Sequence, residues 1–309
     1  MTRPRMLMIL TENGTTSGGN DLPTLVRWAR CAEDAGFDAV MASEHVVLGP
    51  DAGANGIMGN PRAYALPGNQ DPFTPWPNSI VLLSAIASVT EALRLVAGAI
   101  LAPLRHPLLL ARELGTLDLV SEGRLVVQPT VSWSRDEYAA LSVPFDRRGR
   151  ILDEQLDVLR RCWGPSPVSF QGEFFQFDDV YFEPKAYRPD GPRLWFGGQR
   201  LHASVLRRLV EYGHGFHPLG APSDEDLQTL RTGLAASGRS PDELELIGGV
   251  RAVFPDDRSC ADLGQAMSAI PAQVEQGYTT FCLKPSQFID DGARIGAFCA
   301  EVMRRVDSI

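Results

Sequence analysis

The fold is indicated most clearly by residues 36–45, which read Gly-Phe-Asp-Ala-Val-Met-Ala-Ser-Glu-His. A helix is predicted before them, because apolar residues recur at three- and four-residue spacing over 22–32 and Gly36 supplies a left-handed stop. The apolar run that follows is typical of a strand covered on both faces. Glu44 and His45 come where that strand ends, which is where parallel-sheet proteins place their chemistry.

Strands and helices alternate along the whole chain. The predicted strands are Met6 to Leu10, Ala39 to Ala42, Leu93 to Ala102, Arg124 to Val127, Arg193 to Phe196, Gly215 to His217, Leu244 to Phe254 and Thr279 to Leu283. The predicted helices are the one before Gly36, Asn78 to Val89, Arg148 to Trp163, Ala203 to Tyr212, Ser223 to Ala236, Ala261 to Gln276 and Ala293 to Val306. A further short helix is expected after Ser134, which has the capping-box spacing to Glu137.

Eight strands alternating with helices over 309 residues favour a single α/β domain, residues 1–309, folded as a (β/α)8 TIM barrel. The alternative is an open Rossmann-like sheet. No Gly-x-Gly-x-x-Gly turn follows the first strand, so we favour the closed barrel.

Two long insertions interrupt the alternation, at about 47–77 and 164–192. The first follows the second strand directly and is expected to overhang the barrel mouth as a lid, with aromatic Tyr64, Phe73 and Trp76 suited to an apolar ligand. The second contains many aromatic residues and is expected to form one or two short hairpins.

The composition excludes several function classes. A net charge of −9 and a pI near 5.1 argue against binding to nucleic acid or to an acidic membrane surface, because both need a basic face. The five cysteines are scattered without zinc spacing, and no metal site is expected. No apolar run reaches the length of a membrane span, and the N-terminus leads straight into a strand, so we expect a cytoplasmic protein.

An ordered series of motifs resembles the bacterial-luciferase-like superfamily. The matching segments are Gly36 to His45, Gly123 to Val127, Trp133 with Asp136 to Tyr138, Phe145 to Gly149, Asp153 to Leu156, Leu159 to Trp163, Phe170 to Phe175 and Leu194 to Gly198. The resemblance implies a (β/α)8 barrel that binds reduced FMN or the 5-deazaflavin coenzyme F420 at its C-terminal face. It also implies a homodimer, since relatives are commonly dimers.

In deazaflavin-dependent relatives the histidine that matches His45 lies beside the redox-active ring and exchanges the proton that accompanies hydride transfer. Imidazole suits this role because its pKa lies near neutrality. Glu44 is the second catalytic candidate, through tuning of His45 or binding of a substrate hydroxyl. Adjacent strand residues point to opposite faces, so contact between the two cannot be assumed.

The resemblance also implies cofactor contacts from the third and fourth strands. The third strand aligns with the family strand that carries a bulge and a non-proline cis peptide behind the ring, and by position that bond joins Ala99 and Ile100. On the fourth strand Gln128, Thr130 and Ser132 replace the usual glycine-rich turn and can donate hydrogen bonds to the ring or the ribityl chain.

The cofactor phosphate is expected after the fifth strand, where Gly197, Gly198 and Gln199 lead into a helix whose first amides favour an anion. FMN-using relatives place an arginine where this chain has Val131, which favours the deazaflavin. The leading hypothesis is therefore an oxidoreductase that exchanges hydride between coenzyme F420 and a small organic substrate. The alternatives are an FMNH2-dependent two-component monooxygenase and a non-catalytic flavin-binding barrel.

Overall fold

The computed structural model describes residues 3–11, 14–198, 200–218 and 222–309. Its strands are β1 (Arg5–Ile9), β2 (Ala39–Ala42), β3 (Arg94–Leu101), β4 (Leu125–Thr130), β5 (Val168–Gln171), β6 (Gln176–Val180), β7 (Arg193–Phe196), β8 (Gly215–Phe216), β9 (Glu245–Gly249) and β10 (Thr280–Leu283). Its helices are α1 (Leu22–Ala35), α2 (Ser79–Ala87), α3 (Pro107–Val120), α4 (Arg135–Ala140), α5 (Arg148–Trp163), α6 (Ala203–Tyr212), α7 (Asp224–Ala236), α8 (Leu263–Met267), α9 (Ile270–Glu275) and α10 (Ile295–Val306).

Eight of the described strands close into a barrel in the order β1, β2, β3, β4, β7, β8, β9 and β10. Every neighbouring pair is parallel, and β10 pairs with β1 to complete the ring. The predicted TIM barrel is confirmed, and each barrel strand overlaps one predicted strand. The remaining strands, β5 and β6, form the antiparallel hairpin expected in the second insertion.

Side chains alternate between the inside of the barrel and the layer beneath the helices, because successive strand residues point to opposite faces. On β1, Leu7 and Ile9 belong to the inner apolar cluster, while Met6 and Met8 belong to the outer one. The same alternation on β2 places Met41 inside and Val40 outside. It therefore fixes the directions of the two residues that follow the strand, Glu44 and His45.

Helix α1 shows how the sequence sets the entry to the site. The Asp21 carboxylate accepts a hydrogen bond from the amide N of Thr24 at the start of the helix, and Gly36 ends the helix with a φ of 93°. Only glycine adopts such a left-handed conformation without strain, so the stop predicted at Gly36 is confirmed. The chain then turns directly into β2.

Two helix predictions were wrong. Helix α3 was not predicted, because leucine occurs on several sides of its sequence and hides the periodicity; Leu110 is buried there while Leu109 is largely exposed. The helix predicted over 261–276 is two helices, α8 and α9. Pro271 has no N–H to donate to the carbonyl of Met267, so one continuous helix cannot form.

All five cysteines are free thiols. In the part of the chain that the structure describes, no helix is both long enough and apolar enough to cross a membrane.

Candidate active site

His45 lies at the carboxyl end of β2 with only 9% of its side chain exposed. Its Nδ1 atom is 3.3 Å from the Oε2 atom of Glu137. The rings of Trp76 and Trp133 meet the imidazole edge-on, with centroid distances of 5.2 and 5.7 Å. A carboxylate therefore engages one ring nitrogen while aromatic walls orient the imidazole.

Glu137 belongs to the first turn of α4, where Ser134 is the N-cap and its Oγ atom accepts a hydrogen bond from the amide N of Glu137. The predicted cap is confirmed, but the Glu137 side chain turns away from it. Its Oε1 atom accepts a hydrogen bond from the amide N of Val46 at 2.6 Å. The capping-box pattern located this residue correctly, whereas its role beside His45 was missed.

Glu137 is ionised at neutral pH although its side chain is fully buried. Burial alone would raise the pKa of this carboxyl, but hydrogen bonds from His45, Ser132 and the amide N of Val46 outweigh it and hold the pKa below the usual value. A fixed negative charge next to Nδ1 can stabilise the imidazolium that His45 forms when it accepts a proton.

Glu44 points the other way, into the layer between the barrel and the helices. Its carboxylate accepts hydrogen bonds from both Nη atoms of Arg105, at 2.7 and 3.0 Å. It also accepts hydrogen bonds from Ser79 Oγ at 2.9 Å and from the amide N of Leu101 at 3.2 Å. The residue is 4% exposed. These contacts favour a structural role that joins β2, β3 and α2, and they give no support to the predicted catalytic role.

The third strand carries the expected bulge and a non-proline cis peptide, and the cis peptide lies one residue before its expected position. The non-proline cis peptide joins Gly98 and Ala99, so its assignment to Ala99 and Ile100 was wrong. The register of β3 against β4 shifts between Gly98 and Ile100. Ala99 is half-buried, whereas the fully buried Ile100 side chain packs in the outer cluster and only its backbone can face the site. Ser43 Oγ donates a hydrogen bond to the carbonyl of Gly98 at 2.6 Å.

The three candidates from the fourth strand have different environments. Gln128 is buried, and its Oε1 atom is 2.8 Å from the Nδ1 atom of His217. Thr130 is half-buried at the end of β4. Ser132 is 2% exposed, and its Oγ atom accepts a hydrogen bond from the amide N of Ser134. Ser132 therefore shapes the turn that presents Glu137, and its contacts do not favour the predicted hydrogen bond to the cofactor.

The predicted phosphate segment lies between β7 and α6. Gly197 and Gly198 are half-buried, and Gln199 lies outside the described residues. A Cβ atom on Gly197 would lie 1.7 Å from the carbonyl oxygen of His217, so only glycine fits there. Helix α6 begins after His202, whose side chain makes no capping hydrogen bond. The first backbone amides of α6 are therefore not capped by the His202 side chain.

These residues fit a planar cofactor with an anionic tail. A Cβ atom on Gly98 would lie 3.1 Å from Met41 Cε and 3.3 Å from Gln128 Oε1. Because residue 98 is glycine, no side chain covers the backbone of the bulge at this position. A bare backbone of this kind permits close approach of a ring. The first amides of α6, which the His202 side chain does not cap, suit a phosphate. In the described residues no group of three or more His, Cys, Asp or Glu side chains could hold a metal ion.

The first insertion covers the site and is anchored near its start and in its middle. Near its start, Asp51 accepts hydrogen bonds from Ser134 Oγ at 2.9 Å and the amide N of Asp136 at 3.2 Å. In its middle, the buried Asn60 donates to the carbonyls of Asp256 and Ser259, both at 3.0 Å. The loop is therefore attached to α4 on one side of the mouth and to the segment after β9 on the other.

The aromatic residues of this loop differ in their positions. Trp76 contacts His45, and the Tyr64 ring lies 5.6 Å from Nζ of the buried Lys284 at the end of β10. Phe73 is 91% exposed and points to solvent, so its predicted contact with a ligand is not supported. Trp76 and Trp133 are the aromatic surfaces nearest to His45.

A second histidine was not predicted as a site residue. His217 follows β8 and is 6% exposed inside the barrel. Its Nδ1 atom faces Gln128, and its Nε2 atom lies 3.6 Å from Cys282 Sγ. The neighbouring His214, by contrast, accepts a hydrogen bond from the amide N of Leu194 at its Nδ1 atom, and this contact favours a structural role.

His217 is expected to make the protein less stable in acid. Burial lowers the pKa of its imidazole from 6.5 to about 4. Below a pH of about 6.5 the unfolded chain therefore binds a proton that the folded protein excludes, and the free energy of unfolding falls as the pH falls towards 4. Between about pH 7.5 and pH 4.5 the wild type should lose about 2 to 3 kcal/mol relative to His217→Asn. Urea denaturation of both proteins measures this, and a difference that is independent of pH would contradict it.

A closed parallel barrel with buried polar groups under a long loop at the carboxyl ends of its strands is typical of enzymes of the TIM-barrel class. Sequence comparison narrows the class. The sequence model of the luciferase-like monooxygenase family matches residues 5–273, and the chain belongs to this family.

The chain is also similar to individual proteins of known sequence or structure. The chain is 32% identical over 216 residues to an uncharacterized protein of Mycobacterium tuberculosis, covering 68% of this chain and 73% of the relative. It is 30% identical over 170 residues to the FMNH2-dependent dimethylsulfone monooxygenase of Pseudomonas putida, covering 52% of this chain and 46% of that enzyme. The structure of an F420-dependent secondary alcohol dehydrogenase with an F420-acetone adduct superimposes with a TM-score of 0.71 at 15% identity, covering 99% of each chain, and so shares the fold.

Proposed function

We propose that this protein exchanges hydride between coenzyme F420 and a small alcohol or carbonyl compound, and that His45 moves the accompanying proton. The observation that carries the proposal is the buried His45 and Glu137 pair at the barrel mouth, at 3.3 Å. Oxidation of an alcohol releases a hydride from carbon and a proton from oxygen, so the site needs a base as well as a hydride acceptor.

Different segments of the described chain would hold different parts of the cofactor. The backbone of Gly98 and Ala99 would support the ring, Gln128 and Thr130 would donate hydrogen bonds to its polar edge, and Gly197 with the start of α6 would receive the phosphate. When bound, the deazaflavin supplies a carbon centre that accepts or donates a hydride.

His45 is suited to proton transfer by its surroundings. With Nδ1 engaged by the Glu137 carboxylate, the Nε2 atom is left to accept the hydroxyl proton of an alcohol. The resulting imidazolium is stabilised by Glu137, which stays ionised because its pKa is lowered. In the reverse direction the same imidazolium protonates the carbonyl oxygen. Trp76 and Trp133 enclose the imidazole and favour a substrate with an apolar body.

A second candidate function is an FMNH2-dependent monooxygenase. It is favoured by the 30% identity to the dimethylsulfone monooxygenase and by the family model. His45 and Glu137 would then handle a proton during oxygen insertion. Val131, which packs against the outer core where FMN-using relatives are expected to carry an arginine, favours the first candidate.

The two candidates are separated by assays of both chemistries with the same protein preparation. Coenzyme F420 is mixed anaerobically with a panel of secondary alcohols, and reduction is followed by the loss of deazaflavin absorbance. Oxygen consumption is measured separately with chemically reduced FMN and a panel of sulfones and pyrimidines, using free reduced FMN as the blank. We expect F420 reduction with at least one alcohol. Substrate-dependent oxygen consumption without any F420 reduction would overturn the proposal.

A further inference from the structure

We infer that His217 is a positioning residue of the cofactor site and acts by fixing the side-chain amide of Gln128. The inference rests on the proposed function, in which Gln128 contacts the cofactor. His217 Nδ1 lies 2.8 Å from Gln128 Oε1, and both side chains are more than nine-tenths buried. If Nδ1 carries the N–H, the amide oxygen accepts from it and the amide NH2 is left to donate to the ring, and a measurement of the tautomer tests this.

The interior of the barrel is polar near its mouth, and this supports the inference. Gln128, His217 and Cys282 come from the fourth, sixth and eighth strands of the barrel and point inwards. Alternate strands of a TIM barrel commonly share one interior layer, which is usually filled with branched apolar side chains. Deeper in this barrel the interior is apolar, with Val126 and Trp195 in the inner cluster. Burying a polar side chain costs free energy unless the side chain is hydrogen-bonded. We therefore expect these polar side chains to serve a function at the barrel mouth, which lies directly above them.

Several side chains pack around the pair. Cys282 Sγ lies 3.6 Å from His217 Nε2 and contacts the carbonyl of Gly248 at 3.2 Å, and burial raises the pKa of this thiol to about 12. The Trp195 ring meets the His217 ring edge-on at 6.1 Å. Gln128 Oε1 in turn lies beside Gly98, within 3.3 Å of the position of a Cβ atom there. The chain of contacts thus runs from the bulge of β3 through Gln128 to His217, a neutral imidazole with little room to move.

A double-mutant cycle on cofactor binding tests this role. Affinity for oxidised coenzyme F420 is measured by fluorescence titration for the wild type, His217→Ala, Gln128→Ala and the double variant. A neutral hydrogen bond contributes about 1 kcal/mol, so each single change is expected to weaken binding about five- to tenfold. If His217 acts through Gln128, the double variant binds no more weakly than Gln128→Ala. Losses that multiply in the double variant would overturn the inference.

Two further variants separate positioning from general packing. His217→Asn places an amide N–H near the former Nδ1 position and should restore affinity to within about threefold of the wild type. Cys282→Ala leaves the contact between His217 and Gln128 in place and removes only one packing contact of the imidazole, so it should weaken binding less than His217→Ala does. Thermal unfolding of each apoprotein identifies a variant that has simply lost its fold. If His217→Asn bound as weakly as His217→Ala while remaining folded, the inference would fail.

The protonation state of His217 gives a readout that needs no variant and no cofactor. Nitrogen-15 chemical shifts of the imidazole at neutral pH should show a neutral ring with its proton on Nδ1. A proton on Nε2 would mean that Gln128 presents its NH2 group to His217, which overturns the inference even if the protein binds F420. If the wild type bound neither F420 nor FMN, the proposed function would fail, and the tautomer would still report on the contact between His217 and Gln128.

Discussion

Replacing His45 by alanine is expected to lower kcat by about 10²- to 10⁴-fold, because a positioned acid or base contributes that much to a proton transfer. Cofactor affinity should change little, since the cofactor contacts are assigned to β3, β4 and the start of α6. Steady-state kinetics with the best alcohol from the panel, together with a fluorescence titration of F420, measure both quantities. The imidazole makes its contacts with Glu137, Trp76 and Trp133, all outside the predicted cofactor surface.

A matched control and a companion variant sharpen this test. His106→Ala removes an exposed imidazole that caps α3 and should leave kcat unchanged. Glu137→Gln keeps the shape of the side chain but removes the charge that stabilises the imidazolium, and it should lower kcat at least about tenfold. If His45→Ala retained wild-type turnover with intact cofactor binding, the assignment of the proton to His45 would be wrong.

The largest effect on stability is expected for Glu44→Ala. The change leaves Arg105, whose side chain is 15% exposed, without its bidentate partner and removes the acceptor of Ser79 Oγ and of the amide N of Leu101. Breaking a buried ion pair on one side costs about 3 to 5 kcal/mol in the free energy of unfolding. Urea denaturation followed by circular dichroism measures the loss.

Two comparisons distinguish this explanation from a general loss of charge. Asp307→Ala breaks the exposed pair with Arg3, whose side chains are 53% and 60% exposed, and should change stability by no more than about 1 kcal/mol. The double variant Glu44→Ala with Arg105→Leu removes both buried charges and should be more stable than Glu44→Ala alone. A Glu44→Ala protein as stable as the wild type would show that the ion pair is not needed for stability.

The barrel could be predicted from the sequence because its evidence is local. Alternation of apolar strands and amphipathic helices, the glycine stop at Gly36 and the cap at Ser134 each depend on a few neighbouring residues. The same local geometry separates His45 from Glu44, since consecutive residues at a strand end point to opposite sides. The predicted positions of these features were correct to within a few residues.

The partners of the site residues could not be predicted in this way. Glu137 reaches His45 across 92 positions of sequence, and His217 reaches Gln128 across 89. Such contacts follow from the closure of the barrel and leave no periodic signal. The cis peptide was misplaced by one residue because Gly98 and Ala99 are both small, and the register shift appears only when β3 pairs with β4. Helix α3 was missed because its apolar residues surround its axis.

Direct binding of the two cofactors tests the central claim most closely. The purified protein is titrated by fluorescence with coenzyme F420 and with FMN, each in the oxidised and the reduced form, at one salt concentration and pH. The account predicts saturable binding of F420 and binding of FMN that is at least about tenfold weaker in either form. Tighter binding of reduced FMN than of F420 would contradict hydride transfer and assign the barrel to oxygen chemistry instead.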